Sequence, residues 1–232
     1  MINRLRQHPA GLHLGLMLAL TFSTGVIDAV GFLGLDRVFT GNMTGNVVIL
    51  GMALTGADGL PVVGPVIALV AFLLGAAIAG RAMRPVAAGW SGRSSLLFAA
   101  VGLVILAAGI AALVLDHFPE PLKLAVTGAL GLAMGVQAGA ARHIGVKDVT
   151  TVVVTSTIVG LAYDSVFAAR TGGHPWPRRV LAITLIGAGA AVGALLLQVH
   201  IAAGMFAAAV ITIAVAVLGH LGRPGSNEYG EP

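Results

Sequence analysis

From Gly11 to Leu221 the chain is a succession of apolar stretches joined by short polar connections, a pattern that water cannot accommodate and a bilayer can. Eight stretches are readable: Gly11 to Gly34, Val38 to Leu54, Pro61 to Ala82, Ser95 to Leu115, Leu122 to Ala141, Val149 to Tyr163, Val180 to Val199 and Ile201 to Leu221. A lipid environment requires each backbone polar group to be satisfied within the segment, so these stretches predict helices. With 57% hydrophobic residues, 9% charged residues and a mean hydropathy of +0.97, the chain lies far from soluble averages. It reads as an all-α integral membrane protein. Its 33 glycines predict close helix packing, because small residues let transmembrane backbones approach.

Six stretches are long enough to cross a bilayer, whereas the second and sixth are short and carry a polar, glycine- or hydroxyl-rich motif. The first copy runs Gly34 to Asn46 (GLDRVFTGNMTGN). The second, 111 residues on, runs Gly145 to Thr157 (GVKDVTTVVVTST). If all eight stretches cross with the N-terminus inside, the 13 Lys and Arg residues divide 7 inside and 6 outside, which gives no orientation. If the two motif-bearing stretches return to the side they entered, the division becomes 11 inside and 2 outside, the latter being Arg37 and Lys123. A bent hairpin of the first two stretches gives similar counts. The re-entrant arrangement leaves three full spans per half, and an odd number inverts the halves, as in many transporters. The expected organisation is a cytoplasmic N-terminus (1–10), a first membrane repeat (11–115), a second (116–222) and a disordered tail (223–232). The apolar run beyond Ala29 to Gly34 is too long for a signal peptide. The glycosylation-like Asn42-Met43-Thr44 lies in a segment entering the membrane, where the match carries no meaning.

Asp28 is the one carboxylate well inside a predicted span, and charge at depth needs pairing, hydration or protonation. At helical spacing it shares a face with Thr21, Thr24, Gly25, Gly31 and Phe32. It reads either as a proton- or cation-binding group or as a structural acceptor capping a neighbouring broken helix. In the first motif, Thr40, Asn42, Thr44 and Asn46 alternate with Gly41 and Gly45. One reading is a half-helix lining a pathway, whose free N-terminus offers N–H donors to an anionic group. The other is a small-residue packing face with the asparagines bonding between helices. The threonine pairs Thr40 with Thr44 and Thr151 with Thr155 are spaced to share one helical face. The second copy keeps hydroxyls and lacks both asparagines, and the position 110 residues after Asp28 is Ala138, beside Gln137. The halves are therefore chemically unequal, with the first as the working site and Gln137 either in the pathway or acting as interhelical glue. Gly131, Gly135 and Gly139, and Gly189 with Gly193, read as packing faces, and Trp90 and Trp176 as interfacial anchors.

No cysteine is present, the 7 histidines lack metal-ligand spacing, and no nucleotide or phosphate motif occurs. Neither a cofactor nor a metal is expected, and the basic residues form no stripe suited to nucleic acid. No acid, base and nucleophile set converges within the spans, so an enzyme is disfavoured.

Three elements, Gly25-Val26-Ile27-Asp28-Ala29, Phe39 to Asn46 and Met134-Gly135-Val136-Gln137, resemble the YoaK-type family of small bacterial inner-membrane proteins. The resemblance implies about six spans and a bacterial cytoplasmic membrane, and it supplies no substrate. The chain departs from that pattern at Gly139, where an amide is common, and at Ser156-Thr157, where glycine often follows threonine. The leading functional expectation is a small-solute or ion transporter with proton coupling at Asp28. The alternatives are a passive channel or a membrane scaffold. Membrane lipid and the solute are the expected partners, and self-association is left open.

Overall fold

A computed structural model describes residues 9–57, 59–115, 118–146, 154–163 and 176–223. The described residues form eight helices: α1 (Pro9–Gly34), α2 (Met43–Leu54), α3 (Val63–Met83), α4 (Gly92–Val114), α5 (Glu120–Ile144), α6 (Val154–Tyr163), α7 (Trp176–Val199) and α8 (Ile201–Leu221). Six of these are long and apolar enough to cross a membrane, and the protein is a multi-pass, all-helical membrane protein. Helices α2 and α6, at 12 and 10 residues, extend only about 18 and 15 Å and fall short of the ~30 Å hydrocarbon core.

Contacts at the two ends of the bundle fix the direction of every span. At one end Leu12 of α1 meets Gly222 after α8, Arg93 donates to the Ala82 carbonyl at 2.8 Å, and His143 bonds the Ala87 carbonyl at 3.2 Å. At the other end Gly34 packs on Leu197 and Ile201, while Leu115, Phe118 and Lys123 border the same depression. Arg37 reaches the Gly59 carbonyl at 3.4 Å and Val38 packs on Gly64, so the segment between α1 and α3 leaves and returns at one end. The chain from the end of α5 to the start of α7 likewise begins and finishes at one end, the opposite one. Re-entry of the first motif-bearing segment follows, as the basic-residue distribution predicts, and the described ends of α5 and α7 agree with a return of the second. Arg84, Arg93, Arg142 and Arg223 sit at one end, and Arg37 and Lys123 at the other.

Helices α1 and α5 occupy the middle, with 72% and 61% of their apolar windows buried, whereas α3 and α7 are mostly outward-facing at 28% and 17%. The tightest pairings, α1 with α7, α3 with α5 and α4 with α8, all join an early helix to a late one. Glycine sets two of them. A Cβ on Gly25 would fall on the Ile186 carbonyl oxygen, and one on Gly189 on that of Phe22. In the α3–α5 crossing the same two contacts recur, Gly135 against the Phe72 carbonyl and Gly75 against that of Leu132. Gly25 and Gly135 are 110 residues apart, as are Phe22 and Leu132; Phe72 and Ile186 are 114 apart, as are Gly75 and Gly189. Gly131, Gly139 and Gly193 also abut partner backbone, as their spacing predicts.

One expectation fails at the end bearing the α1 amino terminus. Trp90 is not a lipid-facing anchor: it is 7% exposed, donates to Ser95 Oγ at 2.9 Å, stacks on His13 and abuts Gly219. A polar partner within reach lets the indole leave the interface for the core. Trp176, 57% exposed at the start of α7, keeps the outward position expected of it.

Two tests follow from this architecture. Alanine at Gly25, Gly75, Gly135 or Gly189 is expected to destabilise the detergent-solubilised protein by about 1–3 kcal/mol, as overpacking does. Alanine at Gly51 or Gly80, where the new methyl meets open space, is expected to be neutral or stabilising in the same thermal melts. Because the chain is cysteine-free, single cysteines report topology directly. Cysteines at 37 and 59 are expected to react with an impermeant maleimide from one side and those at 84 and 93 from the other. Labelling of 37 and 59 from opposite sides contradicts the re-entrant path.

Candidate functional site

The segment after α1 reverses through Asp36 and Arg37, both in the left-handed region at φ 84° and 56°. The chain then runs back beside α1 and starts α2 at Met43. Its tip is held by Asp28, one helical turn and a half from the end of α1. Asp28 Oδ1 accepts the backbone N–H of Thr40 (3.0 Å), Gly41 (2.7 Å) and Asn42 (3.4 Å). Three converging amides and the positive end of α2 compensate a carboxylate that is 7% exposed. Gly41 lets the tip sit close, since a Cβ there would press on Thr24 at 3.1 Å and Met134 at 3.3 Å.

The two asparagines close the hairpin on itself. Asn42 Oδ1 caps α2 by accepting from Gly45 N at 3.2 Å. Asn46, buried, brackets the Phe39 backbone: its Oδ1 accepts from Phe39 N at 2.9 Å and its Nδ2 donates to Phe39 O at 2.6 Å. The expected interhelical asparagine bonds are thus local ones, and the expected free helix N-terminus is occupied by Asp28 and Asn42. Thr40 precedes α2, so it shares no helical face with Thr44. Thr40 is fully buried, while Thr44 is exposed.

Beside this hairpin lies a cavity of about 900 Å3. Thr24, Asp28, Asn42 and Thr44 line it from the first half, and Thr155, from the amino end of α6, lines it from the second. Thr44 and Thr155, the matching threonines of the two motif copies, therefore border one space. Gln137 stands behind it: fully buried on α5, it donates from Nε2 to Thr24 Oγ1 at 3.0 Å, and its Oε1 has no partner. Thr24 in turn donates to the Leu20 carbonyl at 2.9 Å. Gln137 thereby ties α5 to α1 one turn from Asp28. Asn46 faces into the hairpin, and Thr151 lies outside the described residues.

Two features of the site escape a reading of polar residues alone. Phe32 and Phe39 both line the cavity with their rings stacked 4.8 Å apart, and Gly45 lies against the Phe39 ring. Phe39 was legible only as a flank of the motif. Away from the cavity, Ser23 and Thr212 meet at 3.2 Å and both bond the Ala208 carbonyl, joining α1 to α8. A lone serine and a lone threonine in apolar runs give no spacing signal to connect them. Among the described residues no cluster of His, Asp and Glu is arranged to hold a metal.

The geometry can be set beside known proteins. No solved structure matches the chain. It is 28% identical over 153 residues to the UPF0700 transmembrane protein YoaK of Bacillus subtilis (strain 168), an alignment covering 64% of this chain and 65% of that protein. Residues 16–218, nearly the whole helical bundle with both re-entrant segments, match a family described as a protein of unknown function, DUF1275. The chain belongs to the DUF1275 family, and the Asp28-held hairpin is the feature of this member that most needs a functional explanation.

Proposed function

We propose that the protein is a small-solute or ion transporter of the bacterial cytoplasmic membrane, built from two inverted repeats, with the cavity at Asp28 as its binding site. The observation that carries this reading is the meeting of both re-entrant segments and a buried carboxylate at one cavity. Transporters place substrate sites where interrupted helices from two halves converge near mid-depth. The recurring glycine crossings support the repeat, because α1 and α5 take equivalent places while running in opposite directions. The unequal chemistry of the halves supports a single site, since Asp28 has alanine at the matching position. Protonation of Asp28 is the coupling event: among the described residues no Lys, Arg, His or second acid lines the cavity to take that role. Among the described residues helix α6 has no buried residue and packs chiefly on α7, which suits a gate that moves while the Asp28 hairpin stays fixed.

Structural and coupling roles of Asp28 separate by substitution. Asp28→Ala leaves three N–H groups without an acceptor and is expected to destabilise the protein on the order of 3 kcal/mol in detergent melts. Asp28→Asn keeps an acceptor oxygen, so the fold is expected to survive with a smaller loss. In proteoliposomes loaded with a pH dye, wild type is expected to couple uptake from a panel of amines, amino acids and sugars to proton movement, and Asp28→Asn to show none. Equal, gradient-driven uptake through Asp28→Asn removes the coupling role. Flux that neither saturates nor responds to the gradient identifies a channel instead.

A further inference from the structure

We infer that the cavity takes a bulky, mostly apolar organic cation, with Asp28 as its counter-charge and the Phe32–Phe39 pair as its aromatic wall. This names a substrate class for the transport reading and rests on it for direction of movement, though binding itself does not.

Charge decides against an anion. Among the described residues the lining contains one ionisable side chain, Asp28, and no base. The hairpin's amides, which elsewhere in membrane proteins receive anionic groups, are already taken: three point at Asp28 Oδ1 and Gly45 N points at Asn42. The three backbone bonds all fall on Oδ1, and the carboxylate still borders the cavity, where it faces an incoming ligand. The amino end of α6 also borders the cavity and contributes about half a positive charge, less than the full charge of a carboxylate.

Size and wall chemistry decide against an inorganic ion as the sole occupant. A space of about 900 Å3 lies at the upper part of the range for drug-sized ligands, roughly 300–1,000 Å3. Val48, Ile49, Ile186 and Ala190 make most of the remaining wall apolar. Phe32 follows Asp28 by four residues on α1, so ring and carboxylate lie on one face. Phe39 is placed against Phe32 by the hairpin that Asp28 holds. An ammonium or phosphonium centre between the carboxylate and an outer face of this stacked pair gains both ion pairing and cation–π attraction in a desolvated site. The hydroxyls of Thr44 and Thr155 stand ready to accept hydrogen bonds from an N–H-bearing cation.

Gly187 supplies a test that leaves the hairpin untouched. It lines the cavity from α7, and a Cβ built there meets nothing within 4 Å, so a side chain can be added at the cavity wall without an immediate clash. The experiment is equilibrium dialysis of the purified, detergent-solubilised full chain with radiolabelled tetraphenylphosphonium, its size-matched anion tetraphenylborate and the neutral triphenylphosphine oxide. Saturable one-site binding of the phosphonium alone is expected. Asp28→Asn and the double variant Phe32→Leu with Phe39→Leu are each expected to weaken it about tenfold or more. Gly187→Phe is expected to abolish it while leaving the melting temperature near wild type. Binding of the borate or the oxide as tightly as the phosphonium, or retention of phosphonium binding in Gly187→Phe, overturns the inference, the former identifying an apolar lipid slot. Phosphonium binding without uptake in proteoliposomes sinks the transport reading and leaves the site standing. Asp28-dependent uptake of an uncharged solute by a protein that binds no phosphonium does the reverse.

Discussion

A single carboxylate oxygen organises the first half of the molecule. Asp28 Oδ1 gathers the amides of Thr40, Gly41 and Asn42, and that convergence turns a polar loop back into the bundle to the depth of residue 28. Without the acceptor, three N–H groups would be stranded in an apolar interior, a cost that no local packing offsets. With it, α2 begins where its positive end meets negative charge, Phe39 is delivered to Phe32, and one wall of the cavity is built. The residue is therefore architectural and borders the cavity at once: one carboxylate oxygen holds the hairpin, and the group lines the open space beside it.

The interlocking of the long helices is the second constraint. Spans adjacent in sequence are not the closest partners; α1 rests on α7 and α3 on α5, with glycines meeting carbonyl oxygens. In lipid there is little hydrophobic gain in bringing helices together, so backbone proximity and the dispersion it permits hold these crossings. This rigid pair of crossings frames α2 and α6, the two short helices, which make few contacts beyond α3 and α7 respectively.

Much of this was legible in the sequence because bilayer physics leaves few options. Six apolar runs of spanning length give six helices long enough to span, and among the described residues Arg84, Arg93, Arg142 and Arg223 lie at the opposite end from Arg37 and Lys123. Asp28 stood out as an acid at depth, and of its two readings the capping one describes its contacts to the hairpin. What the sequence could not convey was direction. Periodicity assigned Thr40 and Thr44 to one helical face, but Gly41 and the pull of Asp28 keep Thr40 out of the helix altogether. Of the two readings of the asparagines, the one that has them bond between helices fails: they satisfy their own hairpin, because Asn46 lies within reach of both polar groups of Phe39. Trp90 beside Arg93 carried the composition of an interface, yet a serine five residues on offered its N–H a partner inside. Each difference arises from a short-range hydrogen bond, which spacing statistics do not encode.

The pairing of α1 with α7 also bears on how the protein is made. Gly25 meets its partner carbonyl at Ile186, 161 residues later in the chain. At about 5–20 residues per second, a ribosome needs roughly 10–30 s to supply that partner after α1 emerges. During that interval α1, with Asp28 near the far end of its inner face, resides in the membrane without its principal neighbour. The hairpin that follows it by a few residues is complete much sooner, and its three amides can cover the carboxylate long before the bundle closes. The same contact that shapes the mature cavity thus serves as a shield for a charged helix during synthesis, and the order of the segments along the chain makes that protection available early.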